Sequence, residues 1–264
     1  MTSGTSLPSD VCIGVIRVEL SGRDYEREHR DGSSKYSYDF DTVLRGYMMR
    51  AIDPFLRPGR ALELGCYKGD VTELLAQRYE NLTVVEASAE LVAEARRRVG
   101  GNVAFVHSLF ETAVLDGSFD AIFLMHTLEH LDDAQLVLRR IRGWMSGGGR
   151  LFVVVPNANA PSRQIAVQMG LIPHNSAITD AERAHGHRKT YTLDTLEREV
   201  LDAELAVVHR GGVFFKPLAN YQFDKLLGGD VITPDYLEGC YRLGMHYPDL
   251  CASVFVVCEK EPPR

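Results

Sequence analysis

The sequence predicts an α/β fold, a mainly parallel sheet with helices on both faces. Three observations predict it. Between residues 61 and 157 short apolar runs alternate with segments of helical period. The first run, in RALELGCYKGD at 60–70, stops at Gly65 and Gly69 and passes straight into an amphipathic pattern. The second ends in Glu86, about twenty residues after that turn. Alternation of this kind places ligands at the carboxyl ends of the strands.

The elements follow in order. Residues 11–20 are one apolar segment, read as a strand or an arm. The polar stretch 21–41, SGRDYEREHRDGSSKYSYDFD, reads either as a solvated leader or as a lid with Tyr25, His29, Tyr36 or Tyr38 facing the site. Val43, Leu44, Tyr47, Met48 and Ile52 give a helical period over 42–55, closed by Asp53 and Pro54. Strands are expected at 61–65, 82–86 and 103–106, with helices at about 70–79 and at 88–98, the latter capped by Ser88. SFDAIFLM at 118–125 is the fourth strand, 134–144 a helix, and GGGRLFVVVPN at 147–157 a fully buried fifth strand. An insertion at 157–189, a helix at 193–201, a sixth strand at 204–215, a second insertion at 216–250 and a last strand at 252–259 complete the chain. Long segments between core elements form lids and binding walls, so both insertions are expected to cap an acceptor. Tyr236, Leu237, Cys240, Tyr241 and Leu243 mark a helix in the second, its apolar stripe being core or the contact of a homodimer. One domain thus spans 1–264: an arm or lid at 1–41, a ligand-binding core at 42–156, and caps at 157–190 and 216–250.

Composition excludes several classes. A net charge of −7 and the lack of a dense basic run argue against a nucleic-acid partner. No apolar stretch reaches the ~20 residues of a membrane span, and MTSGTSLPSD lacks the pattern of a signal peptide, so no membrane partner and a cytoplasmic location are expected. The five cysteines (Cys12, Cys66, Cys240, Cys251, Cys258) are odd in number and without a CxxC, which reads as reduced thiols.

The chemistry concentrates at the strand ends. A strand that stops at glycines and turns into a helix presents bare N–H groups to a ligand. Glu86 is placed to accept both hydroxyls of a ribose. Glu63, inside an apolar strand, costs several kcal/mol if unpaired, so it is expected to meet backbone N–H groups or a cationic ligand. His126 and His130, in HTLEHLDD at 126–133, can each serve as a base near neutral pH. In HGHRKTY, His185 or His187 is an alternative base, with Arg188 or Lys189 facing an anionic substrate. His174, Asp180 and Glu182 lie near that HxH, but no third ligand is fixed by the pattern, and no metal is assigned.

ELGCYKG followed by VVEAS resembles motifs I and II of the class I S-adenosylmethionine-dependent methyltransferases, and HTLEHLDD resembles the segment that follows their fourth strand. The match departs from ExGxGxG at Tyr67. The resemblance implies a Rossmann-like class I methyltransferase fold, a seven-stranded sheet whose last strand is inserted antiparallel, and S-adenosylmethionine as cofactor. It implies cofactor contacts from Glu63, Gly65, Cys66, Tyr67, Gly69, Glu86 and Ala87, adenine contacts from Ser108, Leu109 and Phe110, and a place beside the sulfonium for Met125 and His126. Cys66 needs only to be small there. NANAPSRQIA, HGHRKTYT and FFKPLANYQFD look like a subgroup acting on sugars, surface glycans or natural products. The function implied is methylation of an oxygen or nitrogen of a small molecule, a sugar nucleotide by preference and an aromatic or amino-acid-derived metabolite otherwise. A cofactor-binding regulatory protein is the reading of another class, supported by Tyr67. A nicotinamide oxidoreductase fits Glu86 but wants GxGxxG, which is absent.

Overall fold

The computed structural model describes residues 23–31, 38–101 and 103–260. The segment 11–20, Cys12, Tyr36 and the side chain of His29 lie outside the described residues. Seven strands form one sheet in the order β3-β2-β1-β4-β5-β7-β6: β1 Arg60–Leu64, β2 Asn81–Glu86, β3 Val103–His107, β4 Phe119–Met125, β5 Met145–Pro156, β6 Leu205–Phe215 and β7 Cys251–Lys260. Neighbours from β3 to β5 pair in parallel, and β7 runs antiparallel between β5 and β6. The sheet is the one the resemblance implies, down to the inserted antiparallel strand.

Its near-continuous apolar strands suit a sheet covered on both sides. Side chains alternate between the two faces. Ala61, Val84, Phe123, Phe152 and Val154 enter one core with α2 (Asp39–Ile52) and α3 (Asp70–Ala76). Leu62, Leu64, Val85, Ile122 and Val153 enter the other with α5 (Ala134–Trp144) and α8 (Leu193–Leu201). The β2–β3 crossover carries α4 (Ala89–Val99), whose cap is the expected one: Ser88 Oγ accepts from Leu91 N at 3.1 Å.

Helix α2 starts three residues earlier than its apolar period, because a remote group caps it. Asp224 accepts from Asp39 N (3.1 Å) and Phe40 N (2.9 Å). Asp224 belongs to α9 (Asn220–Leu226), and Phe223 beside it stacks on Phe40 with ring centres 4.1 Å apart. The second insertion therefore builds core. Its other helix, α10 (Pro234–His246), buries Cys240 and Tyr241, with Tyr241 stacked on Tyr47 at 4.9 Å, and leaves Tyr236 and Leu243 exposed. The first insertion holds α6 (Pro161–Gln168) and α7 (Asp180–Ala184). Within the N-terminal arm, α1 (Tyr25–Asp31) lies across the carboxyl ends of the strands: Glu26 accepts from Ser88 Oγ at 2.8 Å, and Arg23 Nη1 donates to His130 O at 2.7 Å. No helix among the described residues is long and apolar enough to cross a membrane.

Candidate active site

A cavity of about 1220 Å³, mouth included, opens at the carboxyl ends of β1, β2 and β4. The glycine turn after β1 forms its floor. Gly65 (φ +82°) donates to Val85 O at 2.9 Å, and an added Cβ would sit 2.8 Å from Thr127 Oγ1 on the turn after β4. Only a residue without a side chain lets the two turns approach so closely. Tyr67 stands where the motif I pattern has its middle glycine, and it adopts φ +49°. The turn therefore keeps the left-handed path, at a cost of about 1 kcal/mol or more that its surroundings offset.

Glu86 is the main offset. One carboxylate oxygen accepts from Cys66 N (3.1 Å) and Tyr67 N (3.3 Å), the other from Ala87 N (2.8 Å) and Ser88 N (3.0 Å). Burial pushes its pKa up and the backbone bonds pull it back, leaving it above the usual carboxylate range.

Glu63 has no such support. It is 1% exposed, and among the described residues neither oxygen meets a well-formed hydrogen-bond partner, the Thr72 hydroxyl lying only close enough to act on it weakly. Burial pushes its pKa to about 8, the Thr72 hydroxyl opposing and the Glu86 charge adding. A buried carboxylate without a well-formed partner, lining a cavity, is built for a cation that arrives with the ligand. Glu63 gives the fold a pH-dependent contribution. Between about 4.5 and 8 its carboxyl keeps a proton in the folded, ligand-free form that it has lost in the unfolded chain, so this contribution to stability falls as pH rises, by at most about 1.4 kcal/mol per pH unit; up to about pH 6.5 the neutral His126 acts in the opposite direction, so the fall shows above that pH. Glu63→Gln should flatten the slope between about pH 6.5 and 8 in thermal melts; an unchanged slope would mean that Glu63 keeps an ordinary pKa.

The structure brings most of the expected site residues together. Glu63, Gly65, Cys66, Tyr67, Glu86, Ala87, Leu109, Phe110, Met125 and His126 all line the cavity. Gly69 and Ser108 do not. Gly69 (φ +88°) opens α3 against Ala95 of α4, and Ser108 bonds its own chain, Oγ to Leu109 O at 3.1 Å. Burial pushes the Cys66 thiol far up, so it stays protonated. Of the four histidines, His130 and His185 line the cavity with His126, whereas His187 lines a smaller one beside it.

His126 is held in an unusual state. It has φ +54°, and its Nε2 lies 2.9 Å from Ser253 Oγ on β7. Burial, with Arg45, His187 and Lys216 nearby, pulls its pKa down to about 3, so the ring is neutral at physiological pH. Wall residues that the sequence did not single out include Arg23, Glu28, Arg45 and Asp70. Arg23 pairs with Glu28 at 2.6 Å and Arg45 with Asp70 at 3.2 Å. Their roles depend on contacts across the fold, which no local motif signals.

These features suit S-adenosylmethionine. A buried carboxylate without a well-formed partner answers its cationic groups, and the cavity is floored by a turn with no room for side chains.

The comparisons agree. Residues 37–210 match the family model described as a methyltransferase domain. A ubiquinone biosynthesis O-methyltransferase of Xanthomonas oryzae pv. oryzae is 30% identical over 202 residues, covering 72% of this chain and 80% of that protein. An (S)-coclaurine N-methyltransferase of Thalictrum flavum subsp. glaucum is 34% identical over 98 residues, 35% of this chain, and the match spans only 27% of that relative. Among solved structures, the N-methyltransferase NodS of Bradyrhizobium japonicum with bound S-adenosylhomocysteine superposes with a TM-score of 0.59 at 15% identity, covering 90% of this chain and 98% of that one. A possible histamine N-methyltransferase of Thermotoga maritima gives 0.62 at 17% identity, covering 90% and 100%; at such identities the likeness is one of fold. The chain belongs to the class I S-adenosylmethionine-dependent methyltransferases, with S-adenosylmethionine as its cofactor.

Proposed function

We propose that the protein methylates an oxygen of a small, hydroxylated and uncharged molecule. The observation that carries this reading is one cavity lined together by the glycine turn, Glu63, Glu86, the imidazoles of His126, His130 and His185, and Tyr25 and Glu28 of α1. In this reading Glu86 holds the ribose, Leu109 and Phe110 the adenine, the 65–67 turn the amino-acid end, and Glu63 the positive charge. When bound, S-adenosylmethionine supplies a methyl carbon on a cationic sulfur that departs as a neutral thioether.

The protein's part is to orient, to exclude water and to manage one proton. Alignment in a closed, dry site accounts for much of the acceleration. His130 or His185 takes the hydroxyl proton, while His126, neutral and bonded to Ser253, positions the acceptor. The acceptor cap is then α1 with the loop around 185. Arg23 and Arg45, the cations of the wall, are engaged by carboxylates, and Glu63, Glu86 and Glu111 add acidic groups. A diphosphate is poorly served by such a wall, which favours a neutral sugar, phenol or natural-product intermediate over a sugar nucleotide.

Transfer of label from methyl-labelled S-adenosylmethionine to sugars, nucleotide sugars, phenols and amines tests this. Label is expected on a hydroxyl of an uncharged acceptor, with turnover falling ~10²-fold in the His130→Ala or His185→Ala variant while cofactor affinity holds. Label confined to amines or nucleotide sugars would overturn the acceptor class, and full activity in both variants would remove the base.

A further inference from the structure

The turn after β4 and the loop that follows α7 meet at three side chains. Glu129, His130 and His187 each offer one metal-ligating atom, and these atoms all lie within 4.8 Å of one another. Glu129 is 1% exposed and His187 9%. The two imidazoles meet edge to face, centres 4.7 Å apart at 84°. His130 also lines the main cavity, and Glu129 and His187 line the smaller one, so the cluster stands in the wall between them.

Backbone contacts fix this meeting. Arg188 N and Lys189 N both donate to Glu129 O, at 2.8 and 3.3 Å, tying the two segments together. Arg23 holds the carbonyl of His130 from the other side. Between the paired histidines of the loop, Gly186 (φ +87°) comes so near that an added Cβ would lie 3.4 Å from His130 Nδ1. Tyr191 nearby is 1% exposed, and its hydroxyl lies within electrostatic reach of Glu199 first and of Glu129 second.

We propose that Glu129, His130 and His187 bind a divalent transition-metal cation whose open coordination positions face the acceptor. Two imidazoles and one carboxylate suit Zn²⁺, Mn²⁺, Co²⁺ or Fe²⁺ better than Ca²⁺ or Mg²⁺, which take oxygen ligands. Three protein ligands leave room for one or more oxygens from the substrate. A hydroxyl on such a cation loses its proton more readily, the proton passing to His185, the base that remains once His130 is a ligand, and the electron pair staying on the oxygen that is to be methylated. The acceptor class narrows accordingly to molecules that carry a hydroxyl beside a second oxygen and can chelate. That narrowing rests on the methyltransferase reading; cation binding does not.

The test is calorimetric titration of chelator-stripped protein with Zn²⁺, Mn²⁺ and Mg²⁺, with S-adenosylhomocysteine binding measured on the same preparation. One equivalent of Zn²⁺ or Mn²⁺ is expected, with affinity lowered ~100-fold or more in Glu129→Gln and in His187→Ala while S-adenosylhomocysteine affinity is kept. Co²⁺ loading of the wild-type protein gives a reading that needs no variant, a visible absorption spectrum of histidine and carboxylate ligation. Silence toward every cation from a protein that binds S-adenosylhomocysteine overturns the proposal, as does cation affinity unchanged in both variants. Failure to bind S-adenosylhomocysteine, with the cation bound, would instead strike the cofactor reading and leave the metal site standing.

Discussion

Glu86→Ala is expected to raise the dissociation constant for S-adenosylhomocysteine by ~100-fold or more, the largest effect of any single substitution in the cavity. Two losses add. Charge-assisted bonds to a ribose are each worth about 1.5–3 kcal/mol. The same carboxylate also ties Cys66 and Tyr67 of one turn to Ala87 and Ser88 of the next, so its removal releases four N–H groups and the left-handed Tyr67 with them. Glu86→Gln should be no milder. Each carboxylate oxygen now accepts two N–H bonds, and an amide would turn its NH₂ toward one of those pairs. Calorimetric titration of both variants decides it; near-wild-type affinity in either would remove Glu86 from the site.

Gly65→Ala should cost about 2–4 kcal/mol of stability and most of the cofactor affinity. The left-handed backbone at φ +82° accounts for about 1–2 kcal/mol. Contact with Thr127 accounts for the rest, since the new Cβ would lie 2.8 Å from Oγ1 and 2.9 Å from Cγ2, in a region where overpacking costs about 1–3 kcal/mol. The two contributions separate. Adding Thr127→Ala removes both contacts and leaves the backbone strain, so the double variant should regain about half of the lost stability in denaturant unfolding. If Thr127→Ala rescues nothing, the close approach of the two turns is not what requires glycine.

Local chemistry was legible in the sequence. The glycine turn, Glu63 and Glu86 sit at strand ends, where a run of apolar residues and the residue that stops it are neighbours in the chain; the sheet order followed from the resemblance those residues carry. Burial could be read for Glu63 from its apolar flanks, but its surroundings could not, because Thr72 and Glu86 approach only in the fold. Tyr67 read as a departure from the motif, and the structure resolves it as a left-handed residue tethered through its N–H. Contacts between distant segments were not legible. Asp224 capping α2, Arg23 reaching the carbonyl of His130, and His187 joining Glu129 and His130 all depend on where loops land. The HxH of the loop was visible as a pair, yet the structure divides it, His185 to the main cavity and His187 to the cluster behind it.

The most direct test of the site is a crystal structure of the protein with S-adenosylhomocysteine. The ribose hydroxyls should lie on the Glu86 carboxylate, displacing or sharing its bonds from the glycine turn, with the sulfur beside Met125 and His126 and opening toward His130 and His185. A ligand seated elsewhere, with Glu86 still holding all four N–H groups, would contradict the assignment from Gly65 onward.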